Sequence, residues 1–146
     1  MTDEPISFFN AQLERCNEPG RLCWIFELPG PLPSANKILR IHWGARRDYC
    51  QQMQKLVQVV GNQLSIPKAE KKRELFIIQY KHRLFDKDNL YGSVKILVDA
   101  IKKEGHLVDD SEKWVYLKVV QLQVKADQEE KVQVILVEIP DASSSG

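Results

Sequence analysis

The stretch "LFDKDNLYGSVKILVDAIKKEGHLVDDSEK", residues 84–113, decides how this chain is read. It begins with Asp86 and Asp88, one residue apart, and closes on the adjacent Asp109 and Asp110. Between them Leu90, Val94, Leu97, Val98 and Ile101 recur at helical spacing, which predicts a helix over 89–104 with one apolar face. Asp88 stands where an N-cap belongs, Asp86 favours the same helix end, and Gly105 is a natural stop. Upstream, "ELFIIQYKHRL" (74–84) has strand composition, so Asp86 and Asp88 fall on a strand-to-helix turn. Carboxylates there suit Mg²⁺ or Mn²⁺, which take a few acidic oxygens with water and substrate phosphate completing the shell. A helix over 89–104 rises about 24 Å, and residues 105–110, if extended, return about 20 Å. Asp110 therefore reaches the Asp86–Asp88 turn if "GHLVDD" runs back nearly straight, and the four aspartates then form one metal site. The plainer reading makes them helix caps and an Asx turn.

The flanking sequence predicts the rest of the fold. "RLCWIFEL" (21–28) reads as a buried strand, and "PGPLPSANK" (29–37), with three prolines, as an irregular loop. Tyr49, Met53, Leu56, Val57 and Val60 predict a helix from Ala45 to Leu64, with Gly61 and Pro67 marking its end. "KWVYLKVVQLQVKA" (113–126) and "KVQVILVEI" (131–139), joined by "DQEE", read as a β-hairpin. Residues 1–20, with Ile6, Phe9 and Leu13 on one helical face, predict an N-terminal helical extension, and "DASSSG" (141–146) a disordered polar tail. The expected fold is one α+β domain over 21–140, a mixed four-stranded sheet in β-α-β-α-β-β order with helices packed on it.

With 146 residues, 43% hydrophobic and 28% charged, the chain has enough material for one real core. No apolar run is long enough for a bilayer and no signal peptide is visible, so the expected location is cytoplasmic, with no membrane partner. Cys16, Cys23 and Cys50 lack zinc-site spacing and are expected to be reduced and structural. His42, His82 and His106 are isolated and read as packing or surface residues. The net charge of +1 hides an asymmetry: residues 1–20 sum to −3 and residues 21–60 to +4. Asn36, Lys37, Arg40, His42, Arg46 and Arg47 cluster around Trp43 and Tyr49, a composition that suits phosphate contacts and base stacking. The competing reading packs Trp43 on the core and leaves the arginines as rim charge.

Three segments resemble one family. "LPGPLPSANK" (28–37) looks like the proline-rich loop, "DKDNL" (86–90) like the D-x-D-N-L motif, and "KKEGHLVDDSEKWVY" (102–116) like the stretch ending in a double Asp before a strand, of the RusA family of Holliday junction resolvases. They fall in family order over about residues 22–139. The resemblance implies a RusA-like fold and a homodimeric, Mg²⁺-dependent endodeoxyribonuclease that resolves four-way DNA junctions by paired symmetric nicks. It implies Asp86, Asp88 and Asp110 as catalytic acids, with Asp109 beside them as a further metal ligand, and Asn89 as a brace for the turn. Asn36, Lys37, Arg40, Arg46, Arg47 and Lys87 are then the expected DNA contacts.

One position departs from the pattern. In studied resolvases a lysine needed for cleavage stands four residues after the second Asp of the motif, where this chain has Gly92. Lys95, seven residues beyond Asp88 and on its helical face, is the expected substitute across the groove that Gly92 leaves empty, with Lys87 as second candidate. On this reading, lysine at position 92 should raise the cleavage rate. The alternative function is a RusA-like junction-binding protein whose cleavage is weak or lost. A sugar-nucleotide transferase using D-x-D with Mn²⁺ is disfavoured by the short chain and the absence of a Gly-rich loop.

Overall fold

A computed structural model describes residues 22–138. The expected helical extension over 1–20 and the tail over 141–146 lie outside the described residues. Along the chain come β1 (Leu22–Pro29), α1 (Ala35–Arg40), α2 (Trp43–Leu64), β2 (Arg73–Lys81), α3 (Lys87–Ser93), α4 (Lys95–Lys103), β3 (Val115–Gln123) and β4 (Lys131–Glu138). The strands form one mixed sheet in the order β1-β4-β2-β3. The expected α+β class and four-stranded mixed sheet are both present.

The expected β3–β4 hairpin is not. β2 lies between these two strands, antiparallel to β4 from Arg73↔Glu138 and parallel to β3 from Arg73↔Val115. Burial explains the order. Val132, Val134, Ile135, Leu136 and Val137 of β4 are all buried, as are Leu75 to Ile78 of β2, so both strands need cover on two faces and neighbours on two edges. β3 is only intermittently buried, with Tyr116 49% exposed, and takes an edge. β1, expected to be buried, is the other edge and leaves Leu22 and Ile25 exposed. Parallel pairing of β2 with β3 requires a crossover, and α3–α4 supply it.

On one face of the sheet, Leu75, Ile77, Val134 and Leu136 pack with Met53 and Val57 of α2 and with Leu97 and Ile101 of α4. The opposite face carries a second buried cluster of Phe76, Ile78, Ile135 and Val137. Cys23 borders that cluster and is disulfide-bonded, against the expectation of three reduced thiols, whereas Cys50 is free.

Helix limits also moved. The last residues of the proline loop already turn into α1, because Ser34 Oγ accepts from the Lys37 amide at 3.1 Å and caps it. α2 begins at Trp43, where His42 Nδ1 accepts from the Gly44 amide at 3.0 Å. It passes through Gly61 without ending there. Gly61 is needed for packing: a Cβ at this position would lie under 3.0 Å from His106 Nε2. The single helix expected over 89–104 is two, broken at Val94. The cap is Asp86, not Asp88, which sits in the first turn. Gly105 ends the run as expected, with φ of +86°.

His106 behind Gly61 is buried, and among the described residues its Nδ1 has no hydrogen-bond partner. Burial lowers its pKa, the Arg73 guanidinium adds to that, and Glu104 and the Pro67 carbonyl oppose it. Unfolded, the same imidazole titrates near its ordinary value of 6.5. Below that pH the unfolded chain takes up a proton that the folded chain refuses, so stability falls as pH drops from about 6.5 toward the lower folded pKa. Thermal unfolding at pH 7.5 and 5.5 should show this loss, and His106→Gln should reduce it. An equal loss in the variant would assign the acid sensitivity to other groups.

Candidate nucleic-acid interface and acidic motif

The α1–α2 corner gathers the basic and aromatic side chains of residues 36–47. Trp43 is 66% exposed and Leu39 70% exposed, so Trp43 does not pack on the core. The Arg47 guanidinium carbon lies 5.1 Å from the Trp43 ring centroid, and the His42 ring is 5.4 Å away on its neighbour. Arg46 Nη2 donates to the Leu39 carbonyl at 3.3 Å, which ties the start of α2 back to α1. Lys37 and Arg40 occupy the last turn of α1 and are exposed. The corner thus presents an indole flanked by cations, a surface suited to a stacked base beside a phosphate chain. Tyr49 does not share in it. Its ring packs against the core and burial pushes the hydroxyl pKa up to about 12.

The D-x-D-N turn is built around Asn89. Asp86 Oδ1 accepts from the Asn89 amide at 2.8 Å, and Asp86 Oδ2 from Asn89 Nδ2 at 3.1 Å. Asn89 Oδ1 in turn accepts from the Asn36 amide at 3.3 Å. One side chain therefore fastens the acidic turn to the beginning of α1. Asp88 and Lys87 are exposed, and Asp88 makes no hydrogen bond or ion pair among the described residues.

The space that a side chain at Gly92 would enter is taken by α1. A Cβ there would meet Ala35 Cβ at under 3.0 Å, so the glycine is the contact point at which α3 crosses α1. The position that carries lysine in the resembled family is filled by a neighbouring helix. Lys95 is exposed at the first residue of α4, beyond the break at Val94, so it does not share one continuous helical face with Asp88 as expected. It borders a cavity of about 350 Å³ with Ala35, Leu39, Arg46 and Gly92, and another of about 390 Å³ with Tyr91, Asp99, Asp110 and Leu117.

Residues 105–110 form turns, not the extended return expected. The Gly105 and His106 amides hydrogen-bond back to the Lys102 and Ile101 carbonyls, at 2.9 and 3.0 Å, and Leu107 is buried. Lys102 Nζ then lies 3.7 Å from Asp109 Oδ1 and 3.9 Å from Asp110 Oδ2. The Asp109 carboxyl is held below its ordinary pKa, first by the Asp110 amide and further by the Lys102 charge. Asp110 does come back along α4 to the cavity bordered by Lys95 and Tyr91. The four aspartates are not gathered into one group, however: among the described residues no three His, Cys, Asp or Glu side chains stand together as a metal site.

Mg²⁺ commonly keeps several waters and takes one or two carboxylates with substrate phosphates. The Asp86–Asp88 turn offers two exposed carboxylates of that kind. Sequence reasoning missed the Lys102 counter-charge on the double Asp and the Ala35 contact at Gly92. A lysine in the last turn of α4 was a legible signal for the first, whereas nothing local announces the second. Compared with known proteins, the sequence matches no family model and no curated protein.

Proposed function

We propose that this chain binds branched DNA through the Trp43 corner and acts on four-way junctions as a metal-dependent endodeoxyribonuclease of the RusA type, working as a cytoplasmic homodimer. The observation that carries the binding half is the exposed Trp43 with Arg47 against its ring, on the same two helices as Lys37, Arg40 and Arg46. Two-fold symmetry suits the substrate, because resolving a junction takes two matched nicks. Asp86 and Asp88 would hold Mg²⁺, or Mn²⁺ in its place. When bound, that ion supplies a water of lowered pKa and neutralises charge on the phosphoryl oxygens. Asn89 keeps Asp86 oriented through its two hydrogen bonds. Lys95, at the start of α4, would hold a strand phosphate, and Asp110 borders the same cavity as Lys95. Asn36 and Lys87, beside the turn, complete the DNA contacts.

A second reading is junction binding with weak or lost cleavage. Two observations favour it: no three acids gather among the described residues, and the place of the family lysine is occupied by Ala35. A mobile synthetic junction incubated with and without Mg²⁺ or Mn²⁺ separates the two. Symmetric nicks that need the metal support the nuclease; binding without nicks under either metal leaves the second reading. Trp43→Ala tests the shared part. It should weaken junction binding by about 1–3 kcal/mol, the range for one lost stacked base, with an unchanged melting temperature. Unchanged affinity would remove the α1–α2 corner from the interface.

A further inference from the structure

A cavity of about 460 Å³ lies where the proline loop meets the C-terminal end of β2. Its wall includes Ser34, Lys37, Lys81, Arg83, Phe85 and Glu130, and none of the motif aspartates. Lys81 is the notable group. It is only 2% exposed, yet its ammonium makes no hydrogen bond or ion pair among the described residues. Its nitrogen sits 3.3 Å from the Phe85 ring centroid, which covers one side of the cation. An ammonium has three donors and no acceptor, so this one, on the wall of the cavity, favours a ligand that brings acceptor oxygens.

Glu130, the acid in the wall, is committed elsewhere. Its Oε2 accepts from the His82 amide at 2.8 Å, and Oε1 faces His82 Nδ1 at 3.4 Å. Burial accordingly lowers the Lys81 pKa, against the opposing pull of Glu130. Lys37 and Arg83 add exposed cations at the rim, and Ser34 Oγ, which accepts from the Lys37 amide, retains its own proton for donation. The wall has three cations and spare donors, and its one carboxylate is already engaged by His82.

We propose that this cavity is a phosphate-binding site, with Lys81 at its floor and Lys37 and Arg83 at its rim. The ligand chemistry is a phosphate group, whether free, at the end of a nucleic-acid strand or within its backbone. The proposal does not rest on nuclease activity, because inorganic phosphate alone reads it out without DNA or metal.

The test titrates the full chain with inorganic phosphate by calorimetry and thermal unfolding, against chloride at matched ionic strength. Phosphate should bind and raise the melting temperature. Lys81→Met keeps the buried stem and removes the charge. It should weaken phosphate binding at least about tenfold, while its melting temperature without phosphate stays equal or rises. Arg83→Gln, at an exposed position, should weaken binding a few-fold and serves if Lys81→Met fails to fold. No binding beyond the chloride control, or affinity untouched by these variants, overturns the site. Short single strands with and without a 5′-phosphate then assign the source. Preference for the phosphorylated end identifies a strand terminus. Equal binding of both above inorganic phosphate identifies the backbone, and inorganic phosphate binding as well as either identifies the free anion.

Discussion

Asp88→Asn should abolish metal-dependent nicking of a four-way junction while leaving binding equal or tighter. The carboxylate is exposed, stands in the first turn of α3 and makes no hydrogen bond or ion pair among the described residues. Replacing it with the isosteric amide therefore costs the fold little and removes one of two carboxylates at the turn. Charge stabilisation of several kcal/mol by a bound metal corresponds to at least about a hundredfold loss in rate. Binding does not fall, because a negative group facing a phosphate chain has been neutralised. Asp86 is a poorer probe of the same idea. Its two oxygens accept from Asn89, so Asp86→Ala removes a helix cap as well, at about 1 kcal/mol. A single-turnover assay with a melting curve on each variant separates the effects. Wild-type nicking by Asp88→Asn with an unchanged melting temperature would move the chemistry away from this turn.

Gly92→Lys should destabilise the protein and fail to raise cleavage, the reverse of what sequence alone suggests. The new Cβ would come under 3.0 Å from Ala35 Cβ, and no flexible chain end is there to give way. α1 and α3 must separate, and overpacking of this kind costs typically about 1–3 kcal/mol. For a domain of this size that is a fall of roughly 2–12 °C in melting temperature. The displacement also strains the Asn36–Asn89 hydrogen bond, which joins the same two helices beside the acidic turn. Exchanging the two partners isolates the cause: Gly92→Ala should be destabilising by itself and should recover when combined with Ala35→Gly. Failure of the double variant to recover would show that position 92 is limited by something other than Ala35.

The motif stretch shows how far reading by residues goes. The strand before it, the helical stripe of Leu90, Val94, Leu97, Val98 and Ile101, and the stop at Gly105 were all legible, because each depends on periodicity and backbone preference within a few residues. The break at Val94 was not, since the apolar stripe continues through it and the helices settle against different neighbours. Asp86 and Asp88 were recognisable as a capping turn, but which of the two caps was decided by one amide hydrogen bond. The path of residues 105–110 was misjudged because chain length bounds only the farthest reach. Lys102 and the buried Leu107 draw the segment into turns.

The rest divides along the same line. The chain by itself determined the class of fold, the strand segments and a basic, aromatic stretch at residues 36–47, because hydrophobic period and composition act locally. Tertiary structure alone decided that β2 separates β3 from β4, that Trp43 faces outward, that Ala35 packs against Gly92 and that the buried Lys81 stem carries its ammonium to the wall of a cavity. Each of those depends on how elements far apart in sequence pack, settled by which surfaces compete for cover, and no local pattern encodes the winner.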